Sequence, residues 1–535
     1  MGEKTTKKCR ICLMEIETEQ FYFLHNENKL MLQFKLLDFL PQLNLNITPN
    51  PIICNGSIIA YCKWVYTYWE RLGVPYLEPS IPFGTNKDVF LVKCSQAELA
   101  AKQYKTAKAR GYKHVGIFGF IRPEYMPIDL ELLKHILVKD FNHFTDRGFY
   151  CNEEIDPLAG NLFVLNGNRW KKIRAKLTPT FTSGKMKLMF NLVVECYEKL
   201  KKSIDTERKK GPVNIKNFLE QFSIDVIGSC AFGLDCNSFG ETESNFWKYS
   251  KQIFAPTVGN IIKSVCSVYF RSINKFFKWK IIPSDVSDFF LSVVRNSAEY
   301  RKTNNVVRND FLQILIELMK GESGLTIEEI TAEALVFFLA GFETSSATLT
   351  YALLELAAHQ DIQQKLREEV KTVMERHNQV MTYESLKEMV YMQQVFEEVL
   401  RKYPPLSFLN RVCTEEYLIP NTDITLKKGT NVLISIMGIH HDPEYFPEPE
   451  KFDPERFSLE NKQKLNHFSY MPFGEGPRLC IGSRFAYLQM RIALSSLIQN
   501  YKFTLNEQTK LPMKIDPKSL VIYPMDPIWL DVEKL

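Results

Sequence analysis

Phe473-Gly474-Glu475-Gly476-Pro477-Arg478-Leu479-Cys480-Ile481-Gly482 is the stretch of this 535-residue chain on which the reading of the rest turns. Gly474, Gly476 and Gly482 allow tight turns and close approach of the backbone to a flat group. A turn of that kind aims backbone N–H groups at a thiolate, setting both its acidity and the electronics of a metal it holds. Arg478 supplies a fixed cation just before the sulfur, suited to a carboxylate on a ligand, and Phe473 is placed to keep water from it. The plain alternative is a glycine-rich turn followed by a buried structural cysteine. A nucleotide loop is disfavoured, since the glycine spacing fits neither G-x-G-x-x-G nor G-x-x-x-x-G-K-[ST]. An iron–sulfur cluster would need several close cysteines, and none lie near Cys480.

Working outward, Ile330 to Leu366 reads as one long helix whose first half, Ala334 to Phe342, is apolar on all sides and so belongs inside a large protein. Ala340-Gly341-Phe342-Glu343-Thr344-Ser345 lies within it. Gly341 costs about 1 kcal/mol relative to alanine in a helix, and a bent backbone leaving room for a small ligand would justify it. Glu343 and Thr344 place an acid and a hydroxyl in an apolar segment, where polar groups need a partner or a task. Proton delivery is one such task; a threonine bonding back to its own helix is the bland counterpart.

Tyr383 to Tyr403 reads as a helix stopped by Pro404-Pro405. On it Glu398 and Arg401 stand three apart on one face, among Val395, Phe396, Val399 and Leu400. Trp170 and Arg174 fall at i and i+4 of a further helix. Glu448 to Gly482 reads as structured loop running into a helix from about Ser483. His440-His441 offers no metal site, since adjacent residues on a strand point to opposite faces.

The loop matches F-x-x-G-x-R-x-C-x-G, and in this it resembles the haem-binding signature of the cytochrome P450 family. The segment around Glu343-Thr344 resembles that family's oxygen-binding helix motif, and Glu398-x-x-Arg401 its E-x-x-R motif. The motifs run in family order from Trp170 to Gly482, with similarity from about Tyr61 to the C-terminus. Phe141 to Arg147 and Pro179 to Gly184 are similar in wording to the insect microsomal detoxification branch.

The resemblance implies a mainly α fold with small β-sheets (α+β) enclosing haem b. In it Cys480 is the axial ligand, and Trp170, Arg174, Arg411 and Arg478 meet the haem propionates. Phe473, Gly476, Gly482, Ala340 and Gly341 line the cofactor. Glu343 and Thr344 are the catalytic pair, and Arg456 joins Glu398 and Arg401 in a structural triad. The activity implied is monooxygenation of lipophilic substrates, with electrons from NADPH through NADPH–cytochrome P450 reductase and cytochrome b5 as a further donor. Lys171 and Lys172 are expected on the donor face. Phe144 to Phe149, Phe337, Phe338, Ala340 and Leu406 to Leu409 are expected on the pocket wall. An isomerase or dehydratase acting on peroxides is the alternative, disfavoured because such relatives tend to lack the acid–alcohol pair.

Composition agrees with a globular protein: 45% of residues are apolar and 24% charged, with a net charge of +5. Twelve cysteines without a tight framework suggest reduced thiols. A membrane span needs about 20 consecutive apolar residues, and Asn55, Gly56 and Lys63 interrupt the nearest candidate. The expected address is nonetheless the cytoplasmic face of the endoplasmic reticulum membrane. Val268 to Ile282 alternates Tyr269, Phe270, Phe276, Phe277 and Trp279 with Arg271, Lys275, Lys278 and Lys280, which suits an interfacial segment or, equally, a core-facing helix with solvated lysines; the resemblance implies a lid over substrate entry. Residues 1–56 differ in texture: Cys9-x-x-Cys12 and Cys54 resemble the front of an insect zinc-finger-associated domain. The second cysteine pair is incomplete, and the expectation is a fused segment ahead of a catalytic domain at 57–535. No C-x-x-C…H-x-x-x-H finger follows, and nucleic acid is not an expected partner.

Overall fold

The computed structural model describes residues 58–240, 245–254, 257–320 and 324–535; the expectations for Cys9, Cys12 and Cys54 lie outside them. Helices of seven or more residues are α1 (Ile58–Tyr66), α2 (Gln96–Ala109), α3 (Gly167–Leu177), α4 (Ser183–Glu207), α5 (Ile215–Ile227), α6 (Asn245–Phe254), α7 (Val258–Tyr269), α8 (Arg271–Phe277), α9 (Ser284–Thr303), α10 (Phe311–Glu317), α11 (Ile327–Ala358), α12 (Gln360–Arg376), α13 (Val390–Lys402) and α14 (Ser483–Asn500). Among the described residues three small sheets accompany them. The largest has the order β1 (His114–Gly119), β2 (Arg122–Pro127), β4 (Asn431–Ser435), β3 (Phe408–Val412), with β2 and β4 parallel and the other pairs antiparallel. The fold is mainly helical with small sheets, as expected.

α11 is the axis of the molecule. Its 32 residues span about 48 Å at 1.5 Å per residue. A capping box starts it: Thr326 Oγ1 accepts from Glu329 N at 3.2 Å while Glu329 Oε2 accepts from Thr326 N at 2.8 Å. Most of its length is buried against α5, α9, α13 and α14, in one large core that takes in Phe338, Leu349, Leu353 and Leu356.

Two expected helices are each divided. The run expected from Ile330 to Leu366 breaks at His359, whose φ of −118° and ψ of 84° are not helical. The last carbonyls of α11 are taken up by glutamines of the next helix: Gln360 Nε2 donates to Ala357 O at 2.8 Å and Gln363 Nε2 to Leu356 O at 2.9 Å. Orphan carbonyls at a helix end need partners, and here side chains supply them. The run from Tyr383 to Tyr403 breaks at Met389, with ψ of 81°. The restart is capped from outside, as Glu369 of α12 accepts from Tyr391 N at 2.6 Å and Met392 N at 2.8 Å. A carboxylate at a helix N-terminus also meets the favourable end of the dipole.

His440 and His441 sit at the end of a short helix, Ile436–His440, rather than on a strand. Both are engaged structurally. His440 is buried, its Nδ1 lies 3.2 Å from Arg401 O, and its Nε2 accepts from Met471 N at 2.9 Å. Burial and the Arg401 charge push it down to about 3, so it stays neutral.

The aromatic-basic segment divides too. Phe276 is 70% exposed and Phe277 and Lys278 also face outward, with Trp279 stacked on Phe277 at 5.3 Å. Tyr269 departs from the expectation: its ring lies over Gly119, where an added Cβ would stand 2.1 Å from it, and its hydroxyl accepts from Asn86 Nδ2 at 3.2 Å. Among the described residues no helix is long and apolar enough to cross a membrane.

Candidate active site

The loop 473–482 is shaped by two left-handed glycines, Gly474 (φ 75°) and Gly476 (φ 74°). Its closing hydrogen bond runs from Cys480 N to Phe473 O at 2.9 Å. Gly476 is demanded by space as well as by φ: a Cβ there would stand 1.9 Å from Leu137 O. Gly482 stands in the turn before α14 with an ordinary φ of −89°, so its place does not demand glycine's freedom. It contributes a donor instead. The Gly482 and Ser483 N–H groups both point at the Cys480 sulfur and favour its thiolate, at the N-terminus of α14, where partial positive charge gathers.

Cys480 presents accessible surface, yet protein crowds its sulfur closely enough for burial to push the thiol up. Both hold for a residue deep in a recess. The accessible surface is the more telling observation, because it lets a partner reach the sulfur. Ala340 is likewise open in the middle of α11, between the buried Phe338 and Phe342.

Four guanidinium groups gather near one another, two of them beside the sulfur. Arg147 and Arg174 both act on Cys480 electrostatically, and Arg147, Arg411 and Arg174 repel Arg478. Arg478 stacks on Trp170, 4.0 Å from the ring centroid, and donates to Thr145 O, Leu162 O and Leu165 O. Arg147 donates to Phe163 O at 3.1 Å and Arg478 O at 3.3 Å. Burial and mutual repulsion push Arg478 down to about 8, Arg411 to about 9 and Arg147 to about 10. The carboxylate that acts on Arg478 is Asp146. Arg411 Nε is buried with no hydrogen-bond partner. Buried like charges are costly, and this set calls for an anion. The segment holding Arg147 stands out in the sequence, but no role beside Cys480 is legible there, because that proximity is purely tertiary.

Gly341 has a packing reason. A Cβ there would stand 2.5 Å from Ile227 Cδ1 of α5, and its carbonyl accepts from Gln489 Nε2 at 3.3 Å. Thr344 Oγ1 donates to Ala340 O at 2.6 Å, the back-bond of an ordinary helical threonine. Glu343 is different. Its Oε2 is buried without a partner, and burial, then Glu220, push its carboxyl up to about 8.

Glu398 and Arg401 are fully buried and paired, with Arg456 Nε 3.5 Å from Glu398 Oε1. Lys171 and Lys172 are exposed on α3. Of the expected pocket wall, Phe337 and Phe338 pack into aromatic clusters with Phe311 and Phe290 respectively, and Phe144 is buried against Tyr417.

A model of the family described as cytochrome P450 matches residues 91–530. Probable cytochrome P450 6a13 of Drosophila melanogaster is 41% identical over 491 residues, covering 90% of this chain and 98% of that one. Cytochrome P450 6j1 of Blattella germanica is 41% identical over 472 residues, covering 88% and 94%. Cytochrome P450 6A1 of Musca domestica is 38% identical over 494 residues, covering 89% and 95%. These comparisons lend no support to a zinc-finger fusion at residues 1–56.

Proposed function

The chain belongs to the cytochrome P450 family, among its insect family-6 members, and is a monooxygenase; from that premise we propose how its own residues serve the reaction and what it acts on. The recess at Cys480 suits haem b. Cys480 presents accessible surface, Arg411 and Arg478 are buried with one orphaned Nε on Arg411, Arg147 and Arg174 are half-buried, and Ala340 of α11 is open. Arg147, Arg174, Arg411 and Arg478 with Trp170 would hold the propionates. Haem bound through Cys480 supplies the activation of dioxygen.

The remaining work falls to the protein. Gly482 and Ser483 N–H groups temper the thiolate. Phe473 shields the loop from the side of Tyr487, against which its ring packs at 5.4 Å. Glu343 keeps a proton at neutral pH and holds it in reserve beside Thr344, whose hydroxyl passes it on once freed from its back-bond. Glu398, Arg401 and Arg456 hold the segment leading to the loop in place.

The substrates are small lipophilic molecules, xenobiotics or endogenous lipids, oxidised with electrons from NADPH through NADPH–cytochrome P450 reductase, with cytochrome b5 as a second donor. The enzyme works at the cytoplasmic face of the endoplasmic reticulum, where exposed Phe276, Phe277, Lys275, Lys278 and Lys280 suit contact with the membrane surface. The observation that carries the haem assignment is the cluster of buried and half-buried arginines near an accessible cysteine sulfur. A reduced carbon monoxide difference spectrum tests it: the wild type should show the red-shifted thiolate band and Cys480→His should lose it. A band that survives in Cys480→His ends the assignment.

A further inference from the structure

Glu343 raises a question of supply, because a buried acid that gives up a proton must regain one from solvent. At about 100° per residue along a helix, Glu343 lies between two faces of α11. Ala340 and Thr344 stand on one side of it and Ser346 on the other. On the Ser346 side the helix meets α5 and the C-terminal hairpin that holds Tyr523, where Asp516 N bonds Tyr523 O at 2.9 Å. Ser346 Oγ lies 3.1 Å from the Tyr523 hydroxyl, which in turn donates to the Glu220 carboxylate of α5. Lys216, one turn earlier on α5, has its Nζ 4.2 Å from the Tyr523 ring centroid and donates to Pro524 O at 3.4 Å. Lys251 of α6 is exposed and acts on both Lys216 and Glu220. The charges of Glu220 and Lys216 in turn reach Glu343.

We propose that Glu220, Tyr523 and Lys216 form the outer half of a proton path that leads from solvent beside Lys251 to Glu343. The proposal rests on the monooxygenase reading and deepens it. In each turnover Glu343 releases its proton toward Thr344 and becomes a carboxylate. It regains a proton from Glu220, which takes one from the Tyr523 hydroxyl or from water at the Lys216 ammonium; that hydroxyl or water takes one in turn from Lys216 Nζ or from bulk solvent, and bulk solvent reprotonates the lysine. Each transfer breaks one O–H or N–H bond and forms one O–H or N–H bond, with no change of redox state. The ladder is graded in environment: Lys251 is exposed, Lys216 and Glu220 are half-buried, and the Glu343 Oε2 is buried and unpartnered. Burial raises Glu220 and Glu343 alike, so each takes up a proton more readily than an exposed carboxylate does. The groups facing this path are Lys216 and Glu220 from α5, Lys251 from α6, and Asp516 and Tyr523 from the hairpin. Burial pulls Lys216 down, and the charges of Glu220 and Asp516 oppose that pull.

Glu220 and Tyr523 are positioning residues in this account, acting through Glu343. The test uses the haem-loaded full chain with Glu220→Gln, Glu220→Asp and Tyr523→Phe. Three quantities are read: product formed per NADPH consumed, the solvent deuterium isotope effect, and the pH midpoint of the Glu343 carboxylic-acid infrared band. That band is identified as the one missing from Glu343→Gln. Glu220→Gln should lower the product yield per NADPH about tenfold, less than removal of a direct proton donor would cost. It should also enlarge the isotope effect and move the infrared midpoint to lower pH, because a like charge is gone. Glu220→Asp should restore much of the yield. Tyr523→Phe, which keeps the ring under Lys216, should reduce the yield without disturbing packing, and it carries the test if Glu220→Gln fails to fold. The path is overturned if the variants match the wild type while keeping the red-shifted carbon monoxide band. It is equally overturned if yield falls with the infrared midpoint and isotope effect unmoved, since that is a structural effect. A wild type with no such band and no NADPH-dependent product would instead sink the monooxygenase reading, and the path with it.

Discussion

Glu398 and Arg401 meet in a two-pronged ion pair with no exposed surface: Arg401 Nε donates to Glu398 Oε2 at 2.7 Å and Nη2 to Oε1 at 2.8 Å. The remaining capacity of the guanidinium goes to His440 O at 3.1 Å and Pro449 O at 2.7 Å. The pair therefore ties α13 to the segment that precedes the cysteine loop. Breaking such a pair leaves an uncompensated buried charge, at a cost of about 3–5 kcal/mol. Arg401→Ala should lower the midpoint of chemical denaturation accordingly. Arg401→Lys should not restore it, because a lysine cannot form the fork. A wild-type midpoint in Arg401→Ala would refute this.

Gly476→Ala should cost the protein its haem. The new Cβ would stand 1.9 Å from Leu137 O, a backbone atom, and the residue would carry a φ of 74°. Gly184→Ala is the control, since nothing lies within 4 Å of its Cβ position and alanine favours the helix. Haem per chain in the purified proteins should fall for the first and hold for the second.

Arg147→Leu should release haem faster, by about tenfold or more, as expected when one charge-assisted contact of about 1.5–3 kcal/mol is lost. Lys172→Leu, on the exposed face of α3, should not. Transfer to an excess of a haem-free globin gives the rate. Equal rates for both variants would remove Arg147 from the site.

Glu343→Gln should change how stability depends on pH. In the folded protein this carboxyl is raised from 4.5 to about 8, so between those limits the folded state holds a proton that the unfolded state has released. Stability is then greatest below the unfolded value and declines as pH rises toward 8. The glutamine variant lacks this slope. Thermal midpoints taken at about pH 5 and about pH 8 should therefore favour the variant at the higher pH. A constant difference between the two proteins would contradict the raised value.

The cysteine loop, the acid–hydroxyl pair and the E-x-x-R segment could be read from sequence because each is a local pattern whose residues act within a few positions of one another. What escaped was long-range. Nothing near Arg147 announces that it lies beside Cys480, and nothing near Glu220 announces Glu343. The break at Met389 depends on Glu369 reaching across from α12 to cap the next helix, a partnership that periodicity along one segment does not contain. The break at His359 carried a local hint, since Gln360 and Gln363 follow it, but glutamines are good helix formers and read as continuation. A glycine at 341 asks for a reason in the sequence, and the close approach of Ile227 from α5 supplies one that only tertiary packing reveals.

The arginine ring bears on how the protein is made. A chain that folds ahead of its cofactor must hold Arg147, Arg411 and Arg478 together with burial already pulling each toward losing its charge. A ligand that binds only the folded form adds RT ln(1 + [L]/Kd) to stability, and an anion arriving here also relieves that repulsion. Folding yield would thus follow haem supply. In a cell short of haem, newly made chains would open first at this ring and be cleared by proteases, so the amount of enzyme would follow the amount of cofactor without any change in transcription.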